Sequence, residues 1–119
     1  MGHLYASVKI FNKEGSKYKE VLLHVDTGST YSWIDKAILK ELKIASKGKR
    51  EFRTIEGKIV KREIGEAVVE YEGERATTIV VFGEKEDASI LGVYTLEGLE
   101  LTVDPTTERL KKVKVHLAI

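Results

Sequence analysis

A chain of 119 residues and 13.4 kDa is long enough for one domain with a real core and too short for two ordinary ones. Hydrophobic residues at 42% and charged residues at 33% exclude a disordered chain, and twenty basic against nineteen acidic residues, spread along the length, leave no nucleic-acid footprint and no polybasic membrane patch. The absence of cysteine excludes disulfides, thiolate metal sites and a cysteine nucleophile.

Leu4, Ala6, Val8 and Ile10 alternate with His3, Tyr5, Ser7 and Lys9, the period of two that predicts a half-buried strand. The polar run Asn12 to Lys17 turns the chain, and Tyr18 to Val25 is a second apolar strand whose end delivers Asp26-Thr27-Gly28-Ser29. From Asp35 to Lys43 the period changes. Ile34, Ile38 and Leu42 fall four apart with Leu39 beside them, and Asp35 can accept from the free N–H groups of the first turn, so a short amphipathic helix is expected. After the basic stretch Ser46 to Arg50, the runs Glu51 to Ile55 and Lys58 to Ile64 flank Glu56-Gly57 as a hairpin. Glu66 to Tyr71 and Arg75 to Phe82 form another across Glu72-Gly73-Glu74. Ala88 to Gly92 reads as a buried run ending in glycine, and a short helix fits between Tyr94 and Leu101. Glu100 to Asp104 pairs with Arg109 to Leu117 across Pro105-Thr106-Thr107, and Val113, Val115, Leu117 and Ile119 alternate as a terminal strand. Many short strands, one clear helix and no linker or repeat predict a mostly β single domain over 1–119, a small barrel or sandwich.

His3, His24 and His116 are far apart and lack metal-ligand spacing, so no metal is expected. No apolar stretch is long enough to span a bilayer, and Met1-Gly2-His3 leads into a strand pattern and not a signal sequence; the expected location is cytoplasmic. Gln is absent, Asn12 is the only Asn, and Lys, Glu, Ile and Val are plentiful, the composition of a protein from a thermophile.

Val25-Asp26-Thr27-Gly28-Ser29 makes physical sense as a carboxylate presented on a tight loop just after a core strand. Gly28 lets the backbone approach closely and take unusual dihedrals, and the hydroxyls of Thr27 and Ser29 can donate to a carboxylate and hold it ionised. By themselves these letters also suit an ordinary turn.

In its wider context the chain resembles the retroviral-type, retropepsin-like aspartic proteases and their single-domain cellular and archaeal relatives, over nearly its whole length. The Asp26-Thr27-Gly28-Ser29 loop after the second strand, the Glu56-Gly57 hairpin, Ile90-Leu91-Gly92 and the apolar residues Leu96, Leu99 and Leu101 come in the family's order and at about its spacing. The resemblance implies a small closed β-barrel with one or two short helices, and an aspartic endopeptidase active as a homodimer on peptide or protein substrates, without metal or cofactor, nucleic acid or membrane. It assigns Asp26 as the catalytic carboxylate, Thr27 as a tie between the two loops, Gly28 as a substrate-backbone contact and Ser29 as a partner of the outer carboxylate oxygen. Ile55, Glu56, Gly57 and Lys58 would form a flap tip over the peptide, with His24 on the pocket wall and Ile90, Leu91 and Gly92 packed under the loop. The chain ends would interleave into an intersubunit sheet.

The chain departs from the viral pattern at Val93-Tyr94, where those enzymes carry Arg-Asn, and at Thr30, where they carry an acid; the departure touches the ion-pair cluster that braces the viral dimer and not the catalytic loop itself. Trp33 reads as a core or pocket anchor, and Val103-Asp104-Pro105 as a hairpin turn, because Pro105 replaces the Thr and no Gly follows. Two other readings stand beside the peptidase: a non-catalytic dimerisation or peptide-binding module that kept the fold, and a plain β-barrel with a chance turn motif.

Overall fold

Alternation of burial makes the first two strands. In the computed structural model, which describes residues 3–116 and 118, β1 (Tyr5–Phe11) buries Ala6, Val8 and Ile10 while Tyr5 and Ser7 face outward, and β2 (Tyr18–Val25) buries Leu23 and Val25. They pair antiparallel with Tyr5 opposite His24. Asn12 builds the turn between them, its Oδ1 accepting the N–H groups of Ser16 and Lys17.

A strand that the sequence pattern does not predict follows the Asp26 loop: β3 (Ser32–Asp35), with Ser32 and Ile34 inward. Helix α1 (Lys36–Glu41) is shorter than the expected span. Asp35 caps it by accepting the Ala37 N–H at 2.8 Å, and Leu39 is buried beneath it.

The next hairpin joins β4 (Gly48–Arg53) to β5 (Ile59–Tyr71), starting and ending earlier on its first arm than expected. The two runs expected on either side of Gly65 are one 13-residue strand. A Cβ at Gly65 would stand 2.7 Å from the Ala45 carbonyl oxygen, so this glycine admits a crossing segment and does not end the strand. The second half of β5 pairs with β6 (Glu74–Gly83) through Glu72-Gly73, both at positive φ (49° and 86°), a tight two-residue turn.

β7 (Ile90–Leu91) is only two residues long and lies parallel to β2 and antiparallel to β3. Of the run expected to be buried, Leu91 and Gly92 are, whereas Ala88 is exposed. Helix α2 (Val93–Gly98) leads to β8 (Leu101–Asp104) and β9 (Arg109–Lys112), a separate two-stranded sheet. Asp104 makes a turn there and no second acidic loop: its Oδ1 accepts the Thr106 N–H at 2.8 Å, a bond that holds its carboxyl below the ordinary range. The expected terminal strand stops at Lys112. Beyond it Val113 still donates to the Glu100 carbonyl, but 113–116 join no strand and Val115 is 85% exposed, because among the described residues no neighbouring strand takes their backbone groups; Leu117 and Ile119 lie outside the described residues.

Since β1 pairs with β5 as well as β2, the pairings run in a ring through β2, β7, β3, β6 and β5, with β4 outside it as an edge. Ile10, Leu23, Ile34, Leu39, Leu91, Leu96 and Leu99 fill the interior. The architecture is mostly β with two short helices.

Candidate active site

β2 ends at Val25, whose N–H donates to the Leu4 carbonyl, and the next N–H, that of Asp26, donates to the Leu91 carbonyl at 3.1 Å. The loop therefore leaves the sheet with both flanks tied. Within it Ser29 N–H donates to the Asp26 carbonyl, and Gly28 N–H donates to Asp26 Oδ1 at 2.9 Å. Asp26 is half-buried and, among the described residues, held through that one carboxylate oxygen.

Two expectations for the loop change. Gly28 does not adopt the left-handed backbone; its use is space, because a Cβ there would lie 3.2 Å from Asp26 Oδ1. Ser29 Oγ donates to the Tyr31 carbonyl at 2.8 Å, so its only hydroxyl proton serves the loop backbone and not the carboxylate. Thr27 is exposed. It borders a cleft of about 400 Å3 lined by Leu96, Leu101, Val103, Val113 and Val115 among others.

The segment after β7 packs under this loop. A Cβ at Gly92 would stand 2.4 Å from the Tyr31 carbonyl oxygen and 2.9 Å from that of Ser29, a contact that no other residue permits. Val93 and Tyr94, where the resembled viral enzymes carry Arg-Asn, donate their N–H groups to the Ser29 and Thr30 carbonyls at 2.8 and 3.0 Å, and the Tyr94 ring meets Tyr31 edge-on at 6.2 Å. Backbone bonds and an aromatic contact thus stand at the positions where the viral enzymes carry Arg-Asn. Below them Gly92 N–H donates to Ser32 Oγ, which shares a 2.6 Å hydrogen bond with Thr95 Oγ1, itself 2.9 Å from Thr78 Oγ1. All three hydroxyls are buried. Sequence reasoning missed them, because each sits beside another hydroxyl residue and nothing local marks it out.

Strand register sets the wall. His24, Ile90 and Trp33 are neighbours across β2, β7 and β3, all half-buried on the face opposite Val25 and Leu91. His24 stands between the His3 ring at 5.3 Å and the Tyr5 ring at 5.2 Å. Trp33 anchors the far end by meeting Phe52 of β4 edge-on at 5.0 Å.

The Thr54–Lys58 tip ties itself together: Thr54 N–H donates to the Lys58 carbonyl, Gly57 N–H to the Thr54 carbonyl and Lys58 N–H to Thr54 Oγ1, with Gly57 at φ 87°. Ile55 and Glu56 are exposed, and among the described residues no hydrogen bond joins the tip to the Asp26 loop.

Ahead of β7, Arg62 of β5 grips Asp87 with two hydrogen bonds of 2.7 and 3.1 Å, both side chains mostly buried. The Arg62 hydrogen bond first, then the Glu84 N–H and the guanidinium charge, hold the Asp87 carboxyl below the ordinary range against its burial. Among the described residues no three His, Asp or Glu side chains gather as a metal site, and no helix is long and apolar enough to cross a membrane.

No protein-family model and no curated protein matches the sequence. Solved structures do. The protease of simian foamy virus (mac) superposes with a TM-score of 0.55 at 16% identity, covering 79% of this chain and 92% of its own. A retropepsin-like aspartic protease from Rickettsia conorii gives 0.50 at 21% identity over 87% and 85%. A foamy viral protease-reverse transcriptase in complex with an RNA/DNA hybrid gives 0.54 at 15% identity over 94% of this chain and 13% of its own. Likeness at such identities concerns backbone alone, and on that ground the chain folds as a retropepsin.

Proposed function

We propose that the chain is one subunit of an aspartic peptidase in which two copies each contribute Asp26 to a shared site. The observation that carries this reading is a half-buried carboxylate on a braced loop, bonded through one oxygen and, among the described residues, with the other left free, in a fold whose solved neighbours are aspartic proteases. One carboxylate cannot be base and acid in the same step. Two brought together share a proton, the arrangement known for aspartic proteases: the ionised member takes a proton from water as it attacks the peptide carbonyl, and the protonated member donates to the carbonyl oxygen. Thr27 at the exposed end of the loop meets its counterpart across the axis. The apolar cleft beside it, with Val115 standing exposed, is the surface that a second copy covers.

The test is cleavage of a peptide library at acidic and neutral pH. Asp26→Asn should lower turnover about a thousandfold or more with melting and sedimentation unchanged. Wild-type activity per chain should fall on dilution as dimers dissociate, and excess Asp26→Asn chains should poison it through mixed dimers. A monomer that cleaves undiminished would overturn the proposal. Peptide binding without cleavage would favour the non-catalytic module instead.

A further inference from the structure

Arg50 and Phe52 are two residues apart on β4 and so share a face of the hairpin, the face on which Phe52 meets Trp33 and Tyr31. Arg50 donates from Nη1 to Tyr31 Oη, and its guanidinium lies 5.5 Å from the Tyr31 ring centroid. The aromatic ring and the phenol hydroxyl together fix the plane of the guanidinium. Directly across the ladder stands Arg62, so two like charges are paired on one face, which is unfavourable unless anions match them. Asp87 matches Arg62. Among the described residues no carboxylate pairs with Arg50. Along the wall row the other side chains are Tyr5, His24, Ile90 and Trp33, none of them a carboxylate.

We propose that the site selects peptides carrying an acidic side chain close to the scissile bond, and that Arg50, oriented by Tyr31, is the specificity-determining residue that receives it. The cleavage step rests on the peptidase reading, and the selection itself rests on Arg50. A guanidinium fork held on an aromatic face suits a carboxylate in two parallel hydrogen bonds, and a peptide lying along the hairpin arm excludes water from the pair and strengthens it.

The experiment uses labelled peptides identical except for one residue, Glu, Gln or Lys, moved through the positions flanking a cleaved or central bond. Affinity is read on the Asp26→Asn chain, which holds peptides without cutting them, and kcat/KM on the wild type. At low salt the Glu peptide at one position should bind about fivefold tighter than the Gln peptide, and the gap should close as salt rises. Arg50→Gln should abolish the preference, Arg50→Lys should keep part of it, and Arg50→Glu should turn it toward Lys, all with unchanged melting. Equal affinity for Glu and Gln peptides, no binding of any of them, or a preference that survives Arg50→Gln would overturn the inference. Acid-selective binding without cleavage would sink the peptidase and leave Arg50's role standing; cleavage without acid preference would do the reverse.

Discussion

The floor under Asp26 and the Thr54–Lys58 tip are both held by short backbone hydrogen bonds, yet they differ in where the partners come from. In the floor, Leu91, Gly92, Val93 and Tyr94 bond to residues 26–32, roughly sixty positions earlier, and the bonds rest on buried hydroxyls of Ser32, Thr95 and Thr78. In the tip every bond closes within five residues, and Ile55 is fully exposed. Opening the floor therefore means separating segments that the whole core holds together, whereas the tip can swing by hinging its own arms. The proposed peptidase would need both, a carboxylate held in place and an arm that lets a peptide in.

The sharpest way to break this contrast is Gly92→Ala. Its methyl would collide with the Tyr31 and Ser29 carbonyls, and backbone cannot yield as a flexible side chain would, so chemical denaturation should show a loss of about 3 kcal/mol or more, with activity falling alongside. Wild-type stability in this variant would mean that the floor is soft.

Asp87→Asn comes next, leaving the mostly buried Arg62 without its counter-charge at a loss of about 2 kcal/mol near neutral pH. The sign with pH follows from a carboxyl held low: its contribution is complete above about pH 4 and disappears as pH falls through the lowered value. Melting curves of wild type and variant should therefore converge in acid. A constant gap across the acid range would show that the charge of Asp87 contributes nothing.

For the tip, Gly57→Val should cost only about 1 kcal/mol, since a Cβ there meets nothing within 4 Å and the penalty is the positive φ alone, but should lower turnover about tenfold by restricting the hinge. Unchanged turnover would take the tip out of the working cycle. The smallest effect is expected from Ser29→Ala. Its hydroxyl serves the Tyr31 carbonyl, so stability should drop by about 1 kcal/mol while the acidic limb of the pH–rate profile stays in place. A limb displaced to higher pH would show that the hydroxyl turns to Asp26 when the protein is at work.

Local chemistry was legible in the sequence wherever the signal and its consequence lie within a few residues. The alternation of β1 and β2, the Asp35 cap, the Glu56-Gly57 and Glu72-Gly73 turns and the placement of Asp26 at a strand end are all of this kind. Gly92 near the loop was legible from its place in an order of motifs, and Trp33 as a core or pocket anchor from its size and its position after the loop. What the sequence could not show depends on partners supplied by distant segments. Four residues of β3 are too few to display a period, and they become a strand only because β6 and β7 lie beside them. Gly65 resembles a break until the Ala45 carbonyl is seen to need its space. Ser29 could bond either its carboxylate or its backbone, and the turn that aims it at Tyr31 made the choice. The hydroxyls of Ser32, Thr78 and Thr95 are ordinary letters until folding brings them together in an apolar interior, where each must find a partner because water is gone. The last strand ends at Lys112 for the complementary reason: alternation can prepare a face for pairing, but a strand forms only where another backbone takes its hydrogen bonds.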